Sequence, residues 1–210
     1  MKSNLLPISQ EGLKYLSYLG IFLLVTLLFN FDFLSLITLI LLVATAFLFR
    51  NPERSLPTFE VSSVVSPVDG VVKSIEELSD SEYAYKVEIE SSYAHVSVLR
   101  APLNATVKEI QKYNGTRVSS SSKLYNDTNE RVEIVFVDDS KRIIKIVHRL
   151  KKSVASISTD LLKAQNIRQT SRYGTMINGV TTLYLPHNFR ISVNIGNELK
   201  ASESLMGYFS

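Results

Sequence analysis

No cysteine occurs among the 210 residues, which excludes disulfides, thiolate metal ligands and a cysteine nucleophile. Histidine is scarce. His95, His148 and His187 stand apart, without the HxxxH or HExxH spacing that would put two imidazoles on one helix face, so no metal site is expected. Charge of one sign is also lacking. The net charge is +3 and the basic residues fall in short pairs such as Lys141-Arg142 and Lys151-Lys152. That argues against a nucleic-acid partner, although near anionic headgroups such pairs would help to hold a domain down. Helical periodicity is thin after the first quarter of the chain, where only Asp160 to Gln169 reads as one or two helical turns.

What is present begins with two apolar runs. Tyr15 to Phe29 is apolar apart from Ser17, Tyr18, Gly20 and Thr26, and Phe33 to Phe49 is apolar apart from Ser35, Thr38 and Thr45. A straight membrane crossing takes about 20 apolar residues. Each run is a little short alone, so two readings compete: a hairpin turning at Asn30-Phe31-Asp32, or one long tilted helix with Asp32 at its centre. The cost of a buried carboxylate favours the hairpin. Lys2 and Lys14 flank one end and Arg50 and Arg54 the other, which puts both ends on the cytoplasmic side. A cleaved signal peptide fits poorly, because the apolar region is too long and no small-residue cleavage site follows. The expected division is 1–54, membrane hairpin and basic flank, and 55–210, one modest soluble domain. Arg50 to Phe59, with two prolines, reads as the linker.

From Val61 the pattern is mostly β. Val64-Val65, Val71-Val72, Tyr85 to Ile89, His95 to Leu99 and Val132 to Phe136 are short β-branched runs with partial alternation. Gly70, Asn114-Gly115, Asp138-Asp139 and Gly196-Asn197 punctuate them. A weak repeat is visible. Ser66-Pro67-Val68-Asp69-Gly70-Val71-Val72-Lys73 resembles Ala101-Pro102-Leu103-Asn104-Ala105-Thr106-Val107-Lys108, each a proline turn, a polar tip and a strand. Tyr113 to Val118 and Asn194 to Leu199 match loosely. Two alternatives stay open: a duplicated, pseudo-symmetric β-sandwich, or hairpins that reuse the same turn chemistry.

Several boxes together carry a resemblance. Arg50-Asn51-Pro52-Glu53-Arg54 resembles an Arg-Asp-Pro-Glu-Arg box, Ser66-Pro67-Val68-Asp69-Gly70 resembles Ser-Pro-Ala-Asp-Gly, and Arg100-Ala101-Pro102 and Asn129-Glu130-Arg131 follow in order. Arg172-Tyr173-Gly174 and Leu183-Tyr184-Leu185-Pro186 bracket one further segment. In order and spacing after a membrane hairpin, these resemble the phosphatidylserine decarboxylase family in its short form. The resemblance implies a mainly-β, barrel-sandwich-like domain that converts phosphatidylserine to phosphatidylethanolamine at the membrane. It also implies self-cleavage at a Gly-Ser bond, the serine becoming a pyruvoyl group that serves as an electron sink. An Asp and a His assist that serine in the family. Here they correspond to Asp69 and to His95, which stands two residues before the position the pattern gives, now Ser97. On a strand, i and i+2 share a face. Substrate binding falls by resemblance to Arg100, Asn129, Glu130 and Arg131.

The Gly-Ser pair itself is absent. Gly174-Thr175-Met176-Ile177-Asn178-Gly179-Val180 occupies the segment, and no Gly-Ser occurs anywhere in the chain. If Arg172-Tyr173-Gly174-Thr175 matches Arg-Phe-Gly-Ser, the cut falls between Gly174 and Thr175, and threonine gives a 2-oxobutanoyl group instead of pyruvoyl. Otherwise Asn178-Gly179 is a turn joining two strands and no prosthetic group forms. The non-catalytic alternative is a family member that binds phospholipid headgroups or a partner subunit; the associations expected are a homo-oligomer or an active homologue. A lipoyl-type adaptor is disfavoured, because no Met-Lys-Met-like hairpin tip is present. Ser202 to Phe209 resembles the family's last strand, so the chain is expected to be complete.

Overall fold

The computed structural model describes residues 6–55, 59–79 and 82–210. Lys2 and the linker residues 56–58 lie outside the described residues. The chain divides into two compact units, Met1–Glu53 and Arg54–Ser210. Arg54, the first residue of the second unit, is tied to Asp69 within it.

The first unit is the expected hairpin of two helices, α1 (Gln10–Leu28) and α2 (Asp32–Leu48). Ser9 caps α1, its hydroxyl accepting from Gly12 N–H. Asn30 turns the chain with a φ of 57°, a conformation asparagine adopts more readily than most residues. Asp32 then begins α2, where its charge complements the helix dipole. The two ends are clasped. Ser9 N–H donates to Phe49 O and Asn51 N–H to Pro7 O. Gly12 meets Phe49 so closely that an added Cβ would lie 2.3 Å from the phenylalanine Cβ. Near the turn, Ser35 donates to Thr26. Leu24, Leu28, Phe33, Ile40 and Val43 face outward. α1 is long and apolar enough to cross a membrane, and α2 is a shorter apolar helix.

The second unit is a mainly-β sandwich. Its first half contributes β1 (Ser63–Val65), β2 (Gly70–Glu77), β3 (Tyr85–Glu90), β4 (Val98–Arg100), β5 (Ala105–Tyr113), the four-residue helix α3 (Tyr125–Thr128), β6 (Arg131–Val137) and β7 (Ile143–Leu150). Then come β8 (Ser158–Thr159), β9 (Asn166–Ile167), β10 (Arg172–Thr175), β11 (Gly179–Leu185), β12 (Phe189–Ile191), β13 (Glu198–Leu199) and β14 (Leu205–Phe209). One sheet has eight strands in the order β13-β2-β3-β11-β7-β6-β5-β9, and two three-stranded sheets run β1-β14-β12 and β4-β10-β8. Alternation sets the core. Val132, Ile134 and Phe136 of β6 and Ile144, Ile146 and Leu150 of β7 point inward to meet Leu99, Tyr173, Phe189 and Met206 from the small sheets.

The duplication is real, and it goes deeper than the proline turns. β2 and β5 bulge at the same place, between Val72 and Ser74 and between Val107 and Glu109. Val72 N–H donates to Asn197 O and accepts at its own O from Gly196 N–H, while Val107 does the same with Gln165 and Ala164. Both Gly196 and Ala164 have positive φ. The pairing of the eight-stranded sheet is therefore symmetric about its centre, β11 against β7. The two small sheets are equivalent as well: Val64 faces Gly207 as Leu99 faces Gly174, each beside a bulge. The structural mate of the Gly196 turn is thus the Ala164 turn, not the Asn114-Gly115 turn that the sequence suggests. Ala164 hides the relation because it holds a left-handed turn without a glycine. Asp160 to Gln169 contains no helix, since its backbone is spent on this turn and on β9.

Candidate active site

Asp69 ends the turn that leads into β2. Its Oδ1 accepts from Ala201 N–H at 2.8 Å and its Oδ2 from Arg54 at 2.6 Å. The first contact is structural, because in the other half Asn104 Oδ1 accepts from Gln169 N–H at 2.9 Å. What Asp69 adds over its mate is the buried ion pair with Arg54, which also reaches Glu203 at 3.4 Å.

His95 does not lie on a strand. It sits in the turn before β4, half-buried, where its Nδ1 accepts from Ser92 N–H at 2.9 Å and contacts the Ser92 hydroxyl at 3.0 Å. The backbone closes this turn locally, with His95 N–H donating to Ser92 O, so the two-residue offset from Ser97 is not a shift along one strand face. Asp69 and His95 do not hydrogen-bond to each other.

Gly174 and Thr175 lie in β10, the central strand of the β4-β10-β8 sheet. Gly174 pairs with Leu99 and Thr159, and Thr175 with Val98 and Ser158. An added Cβ on Gly174 would lie 2.2 Å from Ser158 O, and one on its mate Gly207 would lie 2.0 Å from Arg190 O. Both glycines answer the same crowding beside a bulge.

The residues expected to bind substrate are mostly turned to the protein itself. Asn129, buried, donates to Val118 O and Leu150 O and accepts from Val118 N–H and Thr116. Glu130 accepts from Ile157 N–H and pairs with Arg117 at 3.2 Å. Arg131 pairs with Glu133 at 3.0 Å and lies over the Tyr113 ring. Arg100 is buried on β4, its N–H donating to Pro67 O.

A different constellation is brought together inside the sandwich. His148 of β7 contacts the Thr181 hydroxyl through Nδ1 at 2.8 Å and the Tyr173 hydroxyl through Nε2 at 2.6 Å. The three side chains come from three strands and are at most 1% exposed. Their approach follows from register. Lys151 N–H donates to Asn178 O, and hydrogen-bonded pairs alternate with closer, non-hydrogen-bonded ones along an antiparallel ladder. Thr181 opposite His148 is therefore of the close kind. Burial holds the His148 imidazole down to about 3 and pushes the Tyr173 hydroxyl up, so the imidazole is neutral at pH 7. A neutral imidazole that receives a proton on one nitrogen while donating from the other is the arrangement of a general base. Sequence reading passed over these residues. The available signal was the inward alternation Ile144, Ile146, His148, Leu150, which places an imidazole on an apolar strand face.

A family model described as phosphatidylserine decarboxylase matches residues 42–207. Among similar proteins, the phosphatidylserine decarboxylase proenzyme of Desulfotalea psychrophila is 28% identical over 206 residues, covering 96% of each chain. That of Carboxydothermus hydrogenoformans is 29% identical over 185 residues, covering 84% of each. That of Syntrophus aciditrophicus is 28% identical over 210 residues, covering 96% of this chain and 97% of the relative.

Proposed function

The chain belongs to the phosphatidylserine decarboxylase family, and on that premise we propose that it decarboxylates phosphatidylserine to phosphatidylethanolamine at a membrane surface. The observation that carries the reading is the extent of the match, which runs from α2 through the whole duplicated β domain into β14. Enzymes of this family depend on a pyruvoyl group, which, once formed, supplies an electron sink for the bond that releases carbon dioxide.

The residues present fit such a group only through threonine. Val180 follows Gly179 and has no hydroxyl, whereas Thr175 and Thr181 lie on either side of it. The group is then 2-oxobutanoyl. Gly174–Thr175 is the bond suggested by sequence, and Thr181 is the threonine that the fold joins to a base. Asp69, through Arg54 and Ala201, holds the turn that leads into β2. The hairpin anchors the domain, and the basic residues at both of its ends support a cytoplasmic position for it. Protease added to the outside of sealed right-side-out membrane vesicles should spare residues 60–210. Digestion there would reverse the orientation.

The test of function uses the full-length protein in detergent micelles that contain phosphatidylserine labelled at the serine carboxyl carbon. Labelled carbon dioxide and an equal amount of phosphatidylethanolamine are expected. A folded preparation that releases neither contradicts the reading.

A further inference from the structure

The fold does not require a polar cluster where Thr181, His148 and Tyr173 meet. Thr181 pairs with Ile89 of β3 as Ile144 pairs with Phe136 of β6, and Ile89 and Phe136 are mates because Val72 and Val107, their partners, are mates. Thr181 therefore corresponds to Ile144, and its partner His148 to Leu185. Tyr173, the bulge residue before Gly174, corresponds to Met206 before Gly207. All six side chains are buried to the same degree. One end of the sandwich fills these positions with isoleucine, leucine and methionine, and the other fills them with two hydroxyls and an imidazole. Replacing hydrogen-bonded buried partners by apolar groups of the same shape is close to neutral, as the mated end demonstrates, so packing alone does not account for the second choice.

The cluster also lies at the segment where the family cuts itself. Thr181 stands two residues beyond Gly179, inside the stretch that Arg172-Tyr173-Gly174 and Leu183-Tyr184-Leu185-Pro186 bracket. We infer that the chain cleaves itself between Val180 and Thr181, with Thr181 as nucleophile, His148 as base and Tyr173 as the positioning residue. This rests on the family reading above and assigns the origin of its prosthetic group.

The chemistry balances. In the productive tautomer His148 donates Nε2–H to Tyr173 Oη, leaving Nδ1 free to accept the Thr181 proton. Thr181 Oγ1 attacks the Val180 carbonyl carbon. By the same ladder alternation, Arg149 N–H donates to the Val180 carbonyl oxygen, where negative charge develops. The C–N bond breaks, the proton held by His148 passes to the Thr181 nitrogen, and an ester links Val180 to Oγ1. The Thr181 Cα proton passes to His148, by then neutral again, and breakage of the Cβ–Oγ1 bond frees Val180 as a carboxylate and leaves a 2-aminobutenoyl end. That end tautomerises to an imine, takes up one water and loses one ammonia. The products are a first fragment ending at Val180 and a second whose blocked 2-oxobutanoyl end derives from Thr181. The reaction is intramolecular, so burial of the nucleophile is no obstacle to its first step.

The test is intact-mass analysis of the full-length protein after incubation, with phosphatidylserine decarboxylation measured on the same samples. The expected result is two fragments divided after Val180, the second blocked at its amino end. Thr181→Val should leave one chain and Thr175→Val should cut normally. Thr181→Ser should cut and give a second fragment lighter by one methylene. His148→Gln should slow cleavage by about 100-fold or more, and Tyr173→Phe by about tenfold. Rescue by Thr181→Ser separates loss of the nucleophile from loss of the fold. A cut after Gly174 that disappears in Thr175→Val overturns the assignment, as does a wild-type chain that stays whole. Decarboxylation by a whole chain overturns it while sparing the proposed function. Cleavage after Val180 without decarboxylation sustains it and sinks the proposed function instead.

Discussion

The two ends of the sandwich are built on one backbone plan and filled in opposite ways. At one end Ile144, Leu185 and Met206 close the core, and at the other Thr181, His148 and Tyr173 occupy the mated positions and hydrogen-bond to one another. The helical hairpin makes the same point in a different medium. There Gly12, Thr26, Ser35 and Thr38 are the buried residues of α1 and α2, while leucine and phenylalanine face outward. That inversion is what a lipid surround selects, with small and polar residues at the helix contact. In each case the backbone plan leaves the choice open and the medium or the chemistry decides it.

The largest effect is expected at the apolar end. Leu185→His puts an imidazole between Ile144 and Met206, neither of which offers it a hydrogen bond, and should cost about 3 kcal/mol or more. A fall in the thermal midpoint of the full-length protein in micelles is the readout. A loss under about 1 kcal/mol would show that this end tolerates polarity and remove the contrast.

At the polar end His148→Leu alone should cost about 2–4 kcal/mol, since it strands the buried hydroxyls of Thr181 and Tyr173. Unfolding by urea measures it, and a neutral result would mean that the two hydroxyls find other partners.

The same imidazole gives the polar end a pH dependence. Its folded pKa of about 3 lies below the ordinary 6.5, so the unfolded chain binds the extra proton first. Stability from keeping the ring neutral is complete above about pH 6.5. It is lost as pH falls toward 3, by at most about 1.4 kcal/mol per pH unit. Melting curves should diverge in that window between wild type and His148→Gln, with wild type the steeper. Parallel curves would remove His148 as the cause.

The smallest change is expected at Asp69. Asp69→Asn preserves the acceptor for Ala201 N–H, as Asn104 serves Gln169, and removes only the charge facing Arg54. A loss of about 1–2 kcal/mol is expected, because Arg54 still has Glu203. Loss of self-cleavage in this variant at unchanged stability would give Asp69 a chemical role.

Much of this plan was legible in the sequence. The helical hairpin and its turn at Asn30 follow from two apolar runs and one carboxylate. The repeat shows in Pro67 and Pro102 because proline fixes the turn whatever surrounds it. Its second half does not show, since Gly196 and Ala164 hold equivalent left-handed turns with unlike residues, and Asp160 to Gln169 imitates a helix while serving that turn. Asp69 is readable as a turn cap but not as the partner of Arg54. The polar cluster was the least legible, for His148, Tyr173 and Thr181 each pass as ordinary strand residues until the register of β7, β10 and β11 sets them side by side.

The central claim is that the polar end exists for chemistry and not for packing. Its most direct test copies one end into the other, as Tyr173→Met, His148→Leu and Thr181→Ile combined, and compares thermal midpoint and intact mass with wild type. The expected result is a folded variant, more stable than His148→Leu alone, that remains a single chain and releases no carbon dioxide from phosphatidylserine. A triple variant still divided after residue 180 would contradict it.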